Sequence, residues 1–326
     1  MRQGGKIVTA KFGEVRIAFF LESQPSLQCS PPNPGERGEM GEAREMAAPL
    51  DSPAARAQYP HVSPVTEGVL KGLWERGAKI DLIVPEECSW NLSELRPAHD
   101  LYVLKSETPL ALSLAGALTV AGGEGVNAFR AANLARDKIA ARAVLAGSGV
   151  PVPSSYATGN AALLLPLLDE GPLWVKPQRG TKGAGIQRLA SSKELDPHRE
   201  CRDAFGLPLP FFAQKELATS GKDLKVYVVG EEAWAIERRF PAVTESEKAG
   251  SPVELLRKIR EAALLCGQVL GLELYGVDFL VATGGGFAAI DVNAFPGYKG
   301  VAAAPAALAA YIHRRALAAH IFSRLK

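Results

Sequence analysis

The sequence predicts an α/β protein: a parallel-sheet domain at the N-terminus, then α+β lobes. Three observations carry this expectation. Apolar strands and amphipathic helices alternate from Val15 to about Ala121, the pattern of a parallel sheet with crossover helices. Beyond Leu173 strands instead follow one another across glycine-rich loops, as at Gly180–Gly185 and Gly284–Gly286, which reads as hairpins. With 326 residues, the chain is long enough for two or three compact modules.

Val15 to Glu22 is the expected first strand. Residues 23–60 are rich in Pro, Ser, Gly and Glu and poor in apolar periodicity, the composition of a disordered or mobile insertion. A substrate-covering loop is the other reading of that segment. Val65 to Arg76 reads as an amphipathic helix stopped at Gly77, and Lys79 to Val84 and Asp100 to Lys105 as the next strands. Thr108-Pro109 supplies a cap and a first-turn proline for a helix reaching about Ala121. Asn133 to Ala146 is expected as one helix bearing Arg136, Asp137 and Lys138, ended by Gly147, Gly149 and Pro151. Leu173 to Pro177 is a strand, with another from Ile186; Phe211–Leu217, Asp223–Gly230 and Ala233–Arg238 follow. Pro252 to Leu270 reads as a long helix, and an alanine-rich helix closes the chain from about Ala303. The expected modules are 1–125, 126–210 and 211–326.

Net charge is only +2, so bulk electrostatics makes no case for nucleic acid. The four cysteines lack metal-ligand spacing and read as reduced thiols of a cytoplasmic protein. Apolar runs fall short of a membrane span, and Ile17–Leu21 is too short for a signal-peptide core. The five histidines are dispersed, so surface or capping roles are expected. Neither nucleic acid nor membrane is an expected partner, and oligomerisation is left open.

The chemistry concentrates in two places. A two-residue turn centred between Gly284 and Gly285 would set Asp278 directly opposite Asp291. Side chains alternate along a strand, so Asn293 would share their face. Two carboxylates and an amide form an oxygen set suited to Mg²⁺ carrying nucleotide phosphates. Upstream, Lys176 precedes a loop containing Gly180, Thr181, Lys182, Gly183 and Gly185. Glycines let backbone N–H groups approach phosphate oxygens, and lysines add charge. The loop lacks the Gly-x-x-x-x-Gly-Lys-Ser/Thr spacing of a Walker loop and joins strand to strand.

These residues resemble the ATP-grasp superfamily in four ordered blocks. They are Ala135-Arg136-Asp137-Lys138, Trp174-Val175-Lys176-Pro177 with its loop, Gln214-Lys215-Glu216-Leu217, and Asp278/Asp291/Asn293. The resemblance covers about Asn127 to the C-terminus and implies an ATP-grasp fold behind a parallel pre-ATP-grasp domain. Gly180–Ile186 looks like the loop of RimK-type glutamate ligases, whereas Asp291–Tyr298 and Lys225 look like the inositol trisphosphate kinases.

The resemblance implies that Lys138 and Lys176 contact ATP phosphates and that the Gly180–Gly185 loop folds over them. Gln214 to Leu217 would be the hinge, offering backbone groups of Lys215 and Leu217 to adenine, with Asp223 toward ribose. One or two Mg²⁺ ions, or Mn²⁺ in their stead, would sit on Asp278, Asp291 and Asn293. Lys225 and Arg238 are assigned to the transferring phosphoryl group or an anionic substrate. The expected function is an ATP-dependent carboxylate–amine ligase working through an acyl phosphate, on small-molecule or peptide substrates. A kinase acting on a phosphorylated polyol is the alternative, and a non-catalytic ATP-binding regulator the third reading.

Overall fold

The structure is a computed structural model that describes residues 14–22, 44–45, 62–180, 185–195, 201–202, 208–240, 244, 247 and 250–325. β1 (Arg16–Phe20) is buried from Ile17 onward, as a central parallel strand covered on both faces must be. β2 (Arg44–Glu45), α1 (Pro64–Trp74), β3 (Lys79–Ile83), β4 (Leu101–Leu104), α2 (Pro109–Val120) and β5 (Gly125–Val126) complete the first domain. Its sheet runs β2-β3-β1-β4-β5, parallel except for β2. The insertion expected to be disordered or mobile thus supplies an edge strand at Arg44–Glu45. The remainder of 23–61 lies outside the described residues. Thr108 caps as expected, accepting from the Ala111 N–H ahead of a first-turn proline, and Ser63 accepts from the Thr66 N–H in the same way ahead of Pro64.

The single helix expected over Asn133–Ala146 is two, α3 (Phe129–Arg136) and α4 (Lys138–Gly147). Asp137 breaks them because it is extended, at φ −89° and ψ 99°, and its carboxylate accepts from the Ile139 and Ala140 N–H groups. An aspartate satisfies free amides better as an N-cap than inside a helix.

Next come β6 (Ser155–Thr158), α5 (Leu165–Asp169), β7 (Leu173–Pro177), β8 (Gln187–Leu189), β9 (Cys201–Arg202), β10 (Pro208–Leu209) and β11 (Phe211–Lys215). β6-β11-β7-β8 form an antiparallel sheet, with β9 and β10 paired apart from it. The last part holds β12 (Thr219–Val229), β13 (Glu232–Arg239), β14 (Ser251–Val253), α6 (Arg257–Leu270), β15 (Leu274–Ala282), β16 (Phe287–Ala294) and α7 (Ala304–Arg324). Its sheet is antiparallel in the order β14-β13-β12-β15-β16. The helix expected from Pro252 starts only at Arg257, because Ser251–Val253 pair as an edge strand, where proline is tolerated.

The cores cross the expected module boundaries. Leu308, Ala309, Ile312 and Ala316 of α7 share one core with Ile17, Phe19, Leu70 and Leu73 of the first domain. A Cβ on Gly72 would lie 2.8 Å from that of Ala309, so α1 and α7 meet at van der Waals range. Two histidines depart from the surface roles expected. His99 is buried against Asp81 at 2.5 Å, and His320 meets Asp100 at 2.9 Å.

Across the other face of the C-terminal sheet, α6 buries Ile259, Ala263 and Cys266 against Val226, Val228, Val277 and Phe279. Gly267 is required there: a Cβ would stand 2.2 Å from the ring carbon and hydroxyl of Tyr275, whose hydroxyl donates to the Ala263 carbonyl at 3.0 Å. Overpacking costs about 1–3 kcal/mol, against a helix-propensity gain of about 1 kcal/mol for alanine over glycine. Gly267→Ala is therefore expected to lower the urea midpoint, and an unchanged or higher midpoint would refute this packing argument.

Candidate active site

On β12 the residues alternate between the α6 core (Leu224, Val226, Val228) and the opposite face (Asp223, Lys225, Tyr227). Strand register sets Lys225 beside Asp278 and Asp223 beside Arg238. The Lys225 Nζ donates to Asp278, 2.9 Å from Oδ1 and 3.0 Å from Oδ2. Arg238 Nη2 reaches the same carboxylate at 2.9 Å, and its Nε and Nη2 grip Asp223 at 2.9 and 2.5 Å. Burial opposes ionisation of Asp278, yet Lys225 and then Arg238 outweigh it and hold the carboxyl below its ordinary range. Burial wins at Asp223, whose pKa rises despite Arg238. Thus Asp223, expected toward ribose, has both oxygens on Arg238, which it orients.

Asp278 does oppose Asp291, but not by the route the glycines imply. The turn is a three-residue loop closed by the Ala282 N–H donating to the Gly286 carbonyl at 3.2 Å, with the Gly285 N–H on the Ala282 carbonyl at 3.1 Å. Gly285 and Gly286 take φ of +82° and +87°, as glycine permits in such loops. Near the turn Phe279 therefore pairs with Ala289, one register off the expectation. A bulge at Ile290 then restores Asp278 to Asp291 and Gly276 to Asn293. Asn293 Nδ2 lies 3.4 Å from Asp278 Oδ2.

Lys176 of β7 lies within electrostatic reach of Asp291 and Asp278. Lys176 Nζ donates to Gln214 Oε1 at 2.6 Å, and both side chains are buried. Among the described residues Gln214 Nε2 has no acceptor, a buried donor that fits an incoming ligand acceptor. Burial lowers the Lys176 pKa to about 8, against the raising influence of Asp291. Lys138 Nζ donates to the Gly180 carbonyl at 3.0 Å, where the glycine loop begins. Gly185 closes that loop at φ +74°; Thr181, Lys182 and Gly183 lie outside the described residues. The Lys215 N–H donates to the Ser154 carbonyl at 2.9 Å, because Lys215 is still in the sheet. The Lys215 side chain turns to α5, bonding the Leu167 carbonyl at 2.6 Å. Leu217 lies in the connector between β11 and β12.

Sequence reasoning missed Arg142, one turn beyond Lys138 on α4. It lines a crevice with Lys138, Phe212, Ile290 and Asp291. It also missed the role of Arg136, whose Nη2 donates to the Ser106 carbonyl at 2.6 Å and ties α3 to the end of β4. A basic residue four after the lysine was a readable signal for Arg142, but its target was not.

Among the described residues no three His, Cys, Asp or Glu side chains converge. A cation here would have Asp278, Asp291 and the Asn293 amide oxygen as its protein ligands. That donor set fits Mg²⁺, which keeps several waters and takes few protein ligands beside substrate phosphates.

Comparison with known proteins agrees with this geometry. The RimK-like ATP-grasp domain matches residues 135–312, more than half of the chain, and the chain belongs to that family. A probable alpha-L-glutamate ligase of Sodalis glossinidius is 28% identical over 259 residues, covering 70% of this chain and 84% of the relative. The Escherichia coli ribosomal protein bS6–L-glutamate ligase is 26% identical over 254 residues, covering 70% and 82%. The fold matches a RimK domain ATP-grasp protein of Sphaerobacter thermophilus at TM-score 0.64 and 14% identity, over 93% of this chain and all of that one.

Between pH 8 and 10.5 the unfolded chain binds a proton at Lys176 that the folded chain releases, so this group adds stability as pH rises through that window. A phosphate ligand favours the ammonium and should draw the proton back. ATP binding near the low end of the window is expected to take up a fraction of a proton, read as a dependence of binding enthalpy on buffer ionisation heat. Lys176→Met should remove the dependence. A wild type without it would take Lys176 off the phosphates.

Proposed function

We propose that this ATP-grasp ligase uses ATP and Mg²⁺ to activate a carboxylate as an acyl phosphate, which an amine then converts to an amide. The observation that carries the reading is the opposition of Asp278 and Asp291, with Asn293 on their face, within electrostatic reach of Lys176 and beside Lys138 in one crevice. A substrate carboxylate oxygen attacks the γ-phosphorus and ADP leaves. The amine nitrogen then attacks the acyl carbon, inorganic phosphate departs and the nitrogen loses a proton. No protein nucleophile is needed, so positioning and charge neutralisation carry the catalysis.

Lys176 and Lys138 hold ATP phosphates from two sides. Lys225 and Arg238 exchange part of their hold on Asp278 for the transferring phosphoryl group, with Asp223 keeping Arg238 in orientation. The Gly180–Gly185 loop covers the phosphates and keeps water from the acyl phosphate. Asp278, Asp291 and Asn293 would hold Mg²⁺, or Mn²⁺ in its stead, which when bound would neutralise phosphate charge. Peptide or small-molecule carboxylates are the acceptor class. Glutamate is the first amine to test, because curated relatives are named for it. Among the described residues, Lys225 and Arg238 are matched by Asp223 and Asp278, which favours ligase over polyol-phosphate kinase.

Hydroxylamine, supplied with ATP and candidate carboxylates, is expected to trap a hydroxamate and release inorganic phosphate. Label from γ-labelled ATP retained on a polyol, without free phosphate, would overturn the ligase reading. Asp291→Asn is expected to abolish turnover and remain folded. Mg-ATP at about a hundred times its Kd should stabilise the wild type by about 2.7 kcal/mol, and the variant by clearly less. Equal melting shifts would sink the metal role of Asp291.

A further inference from the structure

We propose that Arg142 is the positioning residue that keeps Asp291 on the metal side of the sheet, an inference that rests on the metal reading above. Ala289 and Val292 both face the α6 core although they are three residues apart. In an unbroken strand, residues an odd number apart point to opposite faces. Counted regularly from Ala289, Asp291 would enter the core; only the extra residue Ile290 turns it out beside Asp278. The metal pair therefore exists by virtue of the bulge.

A bulge leaves backbone groups outside the ladder, and here one side chain collects them. Arg142 Nη1 donates to the Ala289 carbonyl at 2.6 Å, and Nη2 to the Ile290 carbonyl at 2.9 Å. The Pro151 carbonyl, from the loop after α4, accepts from the Ala289 N–H at 2.8 Å. The guanidinium is buried and its Nε has no partner among the described residues, so a full charge is held in the interior for these two carbonyls. Burial lowers the Arg142 pKa to about 10 and Asp291 opposes that shift, so the cation persists at neutral pH beside the carboxylate it places. A planar guanidinium can hold two carbonyls in a fixed fork; an ammonium is a single flexible point.

The test compares wild type, Arg142→Lys and Arg142→Met by Mg²⁺ titration at fixed ATP. Protein melting and, independently, Mn²⁺ binding by electron paramagnetic resonance are the readouts. Loss of such a supporting contact weakens metal binding about 10–100-fold, so the half-saturating Mg²⁺ should rise at least about ten-fold in Arg142→Met. Arg142→Lys should fall between. ATP binding in EDTA should stay at the wild-type level, since Lys138 and Lys176 are retained. A lower melting temperature with an unchanged Mg²⁺ half-point in both variants would make Arg142 merely structural and overturn the proposal. If Arg142→Met does not fold, Arg142→Lys decides by the same criterion. A wild type with no Mg²⁺ response would instead refute the underlying metal assignment, an outcome distinct from failure at Arg142.

Discussion

Two carboxylates set opposite each other on one sheet face repel, and the surroundings of Asp278 and Asp291 answer that repulsion. Asp278 is buried, where an unmatched charge would cost several kcal/mol; Lys225 and Arg238 match it directly. Arg238 is in turn steadied by Asp223. Asp291 lies within the electrostatic reach of Arg142 and Lys176, raising both their pKa values against burial. Cations on both sides of the cleft are thus arranged around two acids. On the proposed reading, an acidic pair kept this way would exchange its internal cations for a divalent ion.

That exchange is the energetic centre of the proposed chemistry. A divalent ion at the pair would weaken the need for Lys225 and Arg238 on Asp278, freeing donors for phosphate oxygens. The charge that neutralises the acids and the charge that neutralises the nucleotide then come from one set of side chains. Breaking a buried pair without replacement costs about 3–5 kcal/mol, which favours coupled arrival of metal and nucleotide over arrival of ATP alone.

Much of this was legible in the chain. Thr108-Pro109 starts its helix as cap chemistry requires, and strand alternation put Asn293 on the face of Asp291. The opposition of Asp278 and Asp291 was reached from a two-residue turn and an unbroken ladder. The three-residue turn and the Ile290 bulge each shift register by one, and the shifts cancel at the pair. A bulge is set by tertiary contacts such as Arg142, which local sequence does not encode. The same holds for Asp137: the helical period ran through it, and only its side chain's competition for the Ile139 and Ala140 amides ends α3.

The short run from Arg136 to Arg142 joins three parts of the molecule. Arg136 fastens to the Ser106 carbonyl at the carboxyl end of β4, the edge where an open α/β sheet presents ligands. Asp137 caps α4 and accepts from Gln178 at 2.6 Å, just past β7. Lys138 reaches Gly180, and Arg142 holds the bulge beside Asp291. First domain, glycine loop and acidic pair are thereby indexed to one helix start. Phosphoryl transfer loses rate steeply with small misplacement of the reacting groups. On the proposed reading, a shift of α4 would therefore misplace acceptor edge, phosphate grip and metal ligand together, whereas a loop change elsewhere would disturb only one of them.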